Sequence, residues 1–281
     1  MVLKLSELFK GYTEGIAFDV DGTIVNTPPS QFDWFKHWAN QNNIKFKFKG
    51  MKLREWLDTI YNPAIFEGGF PEVYKVHGLP DDSSLGRENA KVWKAYDSFK
   101  KENQHKIKIY EGMDKVFREL HNSGKIPKDG SRDHALSLGI VTTNTWAPYY
   151  DIMDAAGIIE RLTTKVSVES LEGYDANGVG KNLVKPGKIG MDIIMNRWGT
   201  NGNSTVYIGD TITDLRACVD VLRNGDPIKK ESLKIIGAAW GYDGRTQLSK
   251  GFKDKDGQQY HFDAILDNPL EIIDFYNTYL K

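Results

Sequence analysis

Residues 15–25 read Gly15-Ile-Ala-Phe-Asp-Val-Asp-Gly-Thr-Ile-Val25, a short apolar run ending in two acids and a glycine. Ile16, Ala17 and Phe18 suit a strand buried on both faces of a parallel sheet. Asp19 then falls at the carboxyl end of that strand. Val20 sends the side chains of Asp19 and Asp21 in different directions around one small volume, and Gly22 frees the backbone to turn. One carboxylate can attack while its neighbour moves protons. A bare Asp-x-Asp is as readily an acidic turn after a strand. The apolar lead-in and the Gly22-Thr23 that follow make the longer string specific.

Phe18-Asp19-Val20-Asp21-Gly22-Thr23 resembles the first motif of the haloacid dehalogenase (HAD) superfamily of phosphotransferases. The resemblance implies that Asp19 is a nucleophile that becomes an aspartyl-phosphate and that Asp21 is the general acid and base. It also requires three further motifs, in order.

Leu138-Gly-Ile-Val-Thr-Thr-Asn144 resembles the second, an apolar strand ending in Thr or Ser. Thr142 is the expected residue, its hydroxyl and the next backbone N–H holding a phosphoryl oxygen. Thr143 is the rival register, because the repeated threonine is ambiguous by one position. Val184-Lys185-Pro186 resembles the third, in which a lysine before a helix neutralises the nucleophile and the phosphate. Alone, a Lys-Pro pair is more often a solvated surface lysine.

Tyr207-Ile-Gly-Asp-Thr-Ile-Thr-Asp214 resembles the fourth. It implies that Asp210 ligates Mg²⁺ together with the Asp19 carboxylate and the Asp21 backbone carbonyl, since magnesium takes a few oxygen ligands and keeps several waters. Asp214 is left with two readings, an outer or water-mediated metal partner and the N-cap of a helix.

Around these motifs the chain changes character twice. Residues 27–106 carry aromatic stripes at helical spacing and no buried strand: Trp34, Phe35 and Trp38; Leu53, Trp56, Leu57 and Ile60; Val92, Trp93, Tyr96 and Phe99. Pro and Gly divide the segment into short helices. The stripes read more readily as the core of a small helical domain than as a ligand cage.

Downstream, strands at 136–141, 163–168, 205–208, 233–239 and 264–266 alternate with helices at 113–120, 148–156, 215–222 and 270–279. A further helix is expected with Pro186 in its first turn, and polar loops at 125–134 and 171–182, with Gly124 ending the helix before the first loop. Alternation of this kind implies crossover connections and a parallel sheet. The expectation is an α/β, doubly wound, Rossmann-like core from residues 1–26 and 107–281, with a smaller α-helical cap at 27–106. The placement of the insertion after the first motif is similar to that in phosphoglycolate-phosphatase-like members, in which the cap closes over the phosphate pocket and excludes water.

The bulk composition narrows the chemistry. A chain of 281 residues with 40% hydrophobic residues can bury a full core. Its 37 Lys and Arg balance 38 Asp and Glu, so no overall field draws it to nucleic acid or an anionic membrane. The first ten residues alternate charged and apolar side chains, unlike a signal peptide, and no apolar run reaches membrane-spanning length. The single cysteine, Cys218, suits a reducing compartment, so a cytoplasmic protein is expected, with Cys218 a small core residue. The six histidines show no paired metal-ligand spacing, and neither nucleotide-cradling glycine motif is present.

The conjunction of motifs implies a Mg²⁺-dependent phosphatase that hydrolyses a small phosphorylated metabolite through an aspartyl-phosphate. A phosphomutase uses the same four motifs, and a non-catalytic phosphate-binding protein is the rival from another class. Haloacid dehalogenases and phosphonatases lack an acid at the position of Asp21, which argues against both activities here. Lys52, Arg54 and Arg87 are cationic candidates for substrate selection within the cap. Oligomeric state is not legible.

Overall fold

The computed structural model describes residues 13–86, 88–123, 136–174, 183–199, 204–224 and 233–280. The N-terminal ten residues, Gly124, the expected loop at 125–134, the greater part of that at 171–182, and Arg87 lie outside them.

The chain forms two units, one of residues 1–25 and 109–281 and the other of residues 26–108. In the first, six parallel strands make a sheet in the order β3-β2-β1-β4-β5-β8. The strands are β1 (Thr13–Phe18), β2 (Ser137–Val141), β3 (Thr164–Val166), β4 (Ser204–Gly209), β5 (Leu233–Ala238) and β8 (Ala264–Leu266). Ile16, Phe18, Leu138, Ile140, Val206 and Ile208 are fully buried, as strands covered on both faces require. β1 and β4 are neighbours although far apart in sequence. The order therefore reverses between them, and the crevice at their carboxyl ends is where open α/β sheets bind ligands.

Helices of this unit include α5 (Met113–Ser123), α6 (Ala147–Ala155), α7 (Val168–Leu171), α8 (Ile189–Trp198), α9 (Ile212–Asn224), α10 (Gly244–Lys250) and α11 (Glu271–Phe275). Met113, Val116, Phe117 and Leu120 are the buried stripe of α5, and Cys218 is buried in α9. Four features depart from expectation, the first being α10, which no expected helix covers. A short helix, α7, follows β3 where no helix was expected, and a tight turn at Glu172–Tyr174 occupies the start of the expected loop at 171–182. The two-residue strands β6 (Phe252–Lys253) and β7 (Gln259–Tyr260) make a separate antiparallel hairpin. Pro186 is not in the first turn of a helix: the Gly187 N–H closes a turn onto the Val184 carbonyl at 2.9 Å, the cis Lys185-Pro186 peptide lies inside that turn, and α8 begins only at Ile189.

The second unit is helical, with α1 (Pro28–Gln41), α2 (Leu53–Trp56) running through a wider turn at Leu57–Tyr61 into α3 (Asn62–His77), and α4 (Lys91–Asn103). Trp34, Phe35, Trp38, Trp56, Leu57, Val92 and Phe99 are buried, so the aromatic stripes build this unit's own core. Indole N–H groups are satisfied inside it. Trp34 Nε1 donates to the Tyr74 hydroxyl at 2.9 Å and Trp56 Nε1 to His77 Nε2 at 3.0 Å. With Nε2 accepting, the His77 proton sits on Nδ1, 2.8 Å from the Val73 carbonyl. Phe35 and Phe46 stack against the imidazole at 4.9 and 5.3 Å. Burial pulls the His77 pKa down to about 4, and the charge of Lys47 adds to the effect against the pull of the Val73 hydrogen bond. Arg54 pairs with Asp58 at 2.6 Å, whereas Lys52 is exposed.

Among the described residues no helix is long and apolar enough to cross a membrane.

Candidate active site

Asp19 leaves β1 with its backbone N–H bonded to the Ile208 carbonyl at 2.8 Å, and Asp210 is the first residue beyond β4. The sheet thus delivers both carboxylates to its switch point. The Thr23 hydroxyl donates to Asp210 Oδ1 at 3.0 Å and the Tyr242 N–H to Oδ2 at 2.6 Å. Gly22, at φ +82°, passes so near Asp210 that a Cβ there would strike its carboxylate. Both the turn and the close approach require glycine.

Lys185 comes from the turn before α8. Its Nζ is ion-paired with Asp19 Oδ1, lies 2.6 Å from Asp214 Oδ1 and donates to the Tyr207 hydroxyl at 3.1 Å. The lysine predicted as a helix-start cation is therefore a buried one, its side chain 6% exposed.

Asp214 lies in the first turn of α9. Its Oδ2 accepts from the Thr211 N–H at 3.1 Å and the Thr211 hydroxyl at 2.7 Å, while its own N–H approaches Thr211 Oγ1 at 3.4 Å. That is a reciprocal cap, with Asp214 at the third helical position. The Tyr207 hydroxyl donates to Asp214 Oδ1 at 2.9 Å. Thr211 is therefore the N-cap, not Asp214, whose carboxylate completes the cap from inside the first turn while holding the lysine.

Asp19, Asp210 and Asp214 offer oxygens that all lie within 4.8 Å of one another, and among the described residues no other such group of His, Cys, Asp or Glu forms. Burial pushes Asp19 up to about 7 against the pull of Lys185, with Asp214 and Asp21 adding to the rise. Burial also pushes Asp210 well up, followed by the charges of Asp19 and Asp214. For Lys185 burial acts downward, but Asp19 and Asp214 prevail and hold its pKa above the ordinary value. One ammonium against three carboxylates leaves the ionised cluster two negative charges in excess. An all-oxygen donor set with that deficit fits a small hard dication such as Mg²⁺.

Asp21 stands apart from this trio. Its Oδ1 accepts from the Tyr149 hydroxyl at 2.5 Å and its Oδ2 from Asn144 Nδ2 at 2.8 Å. Thr142, the first residue after β2, is buried; its N–H continues the sheet to the Val166 carbonyl at 2.9 Å, and its Oγ1 accepts the Asn144 N–H at 3.1 Å. A hydroxyl that accepts still has its proton to give. Thr143 is exposed.

A family model for haloacid dehalogenase-like hydrolases matches residues 16–221, a span that holds Asp19, Asp21, Thr142, Thr143, Lys185, Asp210 and Asp214. The chain belongs to the haloacid dehalogenase-like hydrolases. Comparison with curated proteins gives no match in sequence. Solved structures share the fold of this HAD-like hydrolase. A chain from Haemophilus somnus assigned as a phosphoglycolate phosphatase has a TM-score of 0.60 at 14% identity, covering 94% of this chain and 97% of its own. A haloacid dehalogenase-like chain from Bacteroides fragilis gives 0.59 at 12%, covering 92% and 99%. A Thermotoga maritima chain assigned as a β-phosphoglucomutase gives 0.57 at 14%, covering 95% and 100%. At these identities the likeness is one of fold.

Sequence reasoning missed several residues of the HAD-like site. Thr23, Asn144 and Tyr207 lie inside the motif strings themselves, and for Thr23 and Tyr207 a polar end so close in sequence to the acids was a usable signal. Tyr149 is in the first turn of α6, and no spacing rule ties that turn to Asp21.

Proposed function

We propose that this HAD-like hydrolase is a Mg²⁺-dependent phosphatase acting on a small phosphomonoester through an aspartyl-phosphate on Asp19. The observation that carries the reading is the buried meeting of Asp19, Lys185, Asp210 and Asp214 at the sheet's switch point, with Asp21 one turn away and held on a different set of donors.

In the first step an Asp19 carboxylate oxygen forms a bond to phosphorus as the bond to the leaving oxygen breaks, and Asp21, protonated, gives its proton to that oxygen. In the second, Asp21 takes a proton from water, whose oxygen attacks phosphorus and releases the Asp19 carboxylate and inorganic phosphate. Lys185 offsets the charge gathering on Asp19 and the phosphoryl group, and Asp214 and Tyr207 keep its ammonium in place. The Thr142 hydroxyl and the Thr143 N–H donate to phosphoryl oxygens. Asp19, Asp210 and the Asp21 carbonyl are assigned to Mg²⁺, with Asp214 outside them because each of its oxygens already accepts two hydrogen bonds, against one on each Asp210 oxygen. When bound, the ion supplies positive charge to the phosphoryl oxygens.

A reducing, cytoplasmic setting agrees with a buried, unpaired Cys218.

The test is phosphate release from p-nitrophenyl phosphate and a panel of phosphorylated metabolites with Mg²⁺. Release of inorganic phosphate is expected. A phosphorylated isomer without released phosphate would instead make the protein a mutase, and inactivity on every compound would favour a binding role.

A further inference from the structure

We propose that Tyr149 is a positioning residue for Asp21, acting with Asn144 to hold the carboxylate in the orientation from which it passes its proton to the leaving oxygen. The inference rests on the reading of Asp21 as general acid and base and assigns a residue beyond it.

Asp21 sits on the turn after β1 and is only partly buried, so burial alone does not fix its carboxylate against rotation about the side-chain bonds. Two donors approach its two oxygens separately. The Tyr149 hydroxyl lies 2.5 Å from Oδ1 and Asn144 Nδ2 lies 2.8 Å from Oδ2. Hydrogen bonds to both oxygens fix the carboxylate plane, which one bond would leave free to swing. Asn144 Nδ2 also lies 3.2 Å from the Tyr149 oxygen, joining the two donors to each other.

The donors are themselves held. Thr142 remains in the sheet through the Val166 carbonyl at 2.9 Å, and the Val168 N–H donates to the Asn144 carbonyl at 3.3 Å. The Trp146 N–H donates to the Glu169 carboxylate at 3.0 Å, and the buried Tyr149, in the first turn of α6, has its N–H on the Trp146 carbonyl at 3.1 Å. A loop tied at successive points presents a hydroxyl at a fixed place, as preorganised proton transfer requires.

Tyr149→Phe removes one oxygen and keeps the ring. Its effect is read as kcat/KM on two aryl esters of similar shape. p-Nitrophenolate leaves readily as an anion, whereas phenolate from phenyl phosphate depends far more on the proton from Asp21. We expect Tyr149→Phe to lower kcat/KM for phenyl phosphate by roughly 10- to 100-fold, with a loss on p-nitrophenyl phosphate several-fold smaller. Circular dichroism should match wild type. In the Asp21→Asn background, adding Tyr149→Phe should change kcat/KM for phenyl phosphate by less than about twofold, because its effect passes through Asp21.

Equal losses on the two esters, or full additivity with Asp21→Asn, would overturn the role of Tyr149 while leaving Asp21 in place, provided Asp21→Asn alone shows the steep dependence on leaving group. An Asp21→Asn protein without that dependence would overturn both assignments.

Discussion

The Thr23 hydroxyl donates a 3.0 Å hydrogen bond to Oδ1 of Asp210, tying the turn after β1 to the end of β4 across the reversal in strand order. Both donors to Asp210, Thr23 and the Tyr242 N–H, are neutral, so its charge is oriented without being offset. A dication such as Mg²⁺ would supply a counter-charge that fits this cluster.

Mg²⁺ should therefore stabilise the folded protein. At a free concentration about 100 times its Kd, the gain is about 2.7 kcal/mol. Asp210→Ala should remove most of the Mg²⁺-dependent rise in Tm and raise the Mg²⁺ needed for activity. The check is a thermal melt of each protein with and without the ion. An unchanged rise in the variant would remove Asp210 from the ligand set.

Lys185 is buried between Asp19 and Asp214, and truncating it leaves both carboxylates without their cation. Breaking a buried pair in this way costs about 3 kcal/mol or more. Lys185→Met should lose that much in denaturant unfolding without Mg²⁺, and roughly 100-fold or more in kcat. Stability and turnover both near wild type would show that the ammonium does neither job.

His77 supplies a pH dependence separate from catalysis. Its folded pKa, about 4, lies below the ordinary 6.5, so the unfolded state binds the extra proton first. Its contribution is fully present above about pH 6.5, is lost as pH falls toward 4, and amounts to about 3 kcal/mol. Protonation would also point an Nε2–H at the Trp56 indole N–H, which now donates to it. The stability of the helical unit, followed by tryptophan fluorescence on unfolding, should fall as pH drops across that window. His77→Gln should flatten the slope, and an identical slope in the variant would assign it to other groups.

The sheet and the acids at its edge were legible because each is local. A buried strand announces itself by an apolar run, and Asp19, Thr142 and Asp210 directly follow such runs in β1, β2 and β4. The aromatic stripes of the helical unit were legible for the same reason, since Trp34, Phe35 and Trp38 share one face of α1. What escaped depends on partners remote in sequence. The contact of Tyr149 with Asp21 spans 128 residues, and nothing in the first turn of α6 points to it. Pro186 was misplaced because a proline suits both a helix start and a tight turn, and the Gly187 N–H to the Val184 carbonyl selects the turn. The β6–β7 hairpin is two residues per strand, too short to carry a period.

The most direct test of the central claim is to trap the covalent intermediate. Asp21→Asn should allow Asp19 to take the phosphoryl group from p-nitrophenyl phosphate while slowing the water attack that removes it. After acid quench and proteolysis, mass spectrometry should find one phosphoryl group on the peptide containing Asp19. Asp19→Asn should lose it entirely, and with it roughly 1000-fold or more of turnover, while staying folded. Turnover by a well-folded Asp19→Asn protein at the wild-type rate, or a phosphoryl group on any other side chain, would contradict the account.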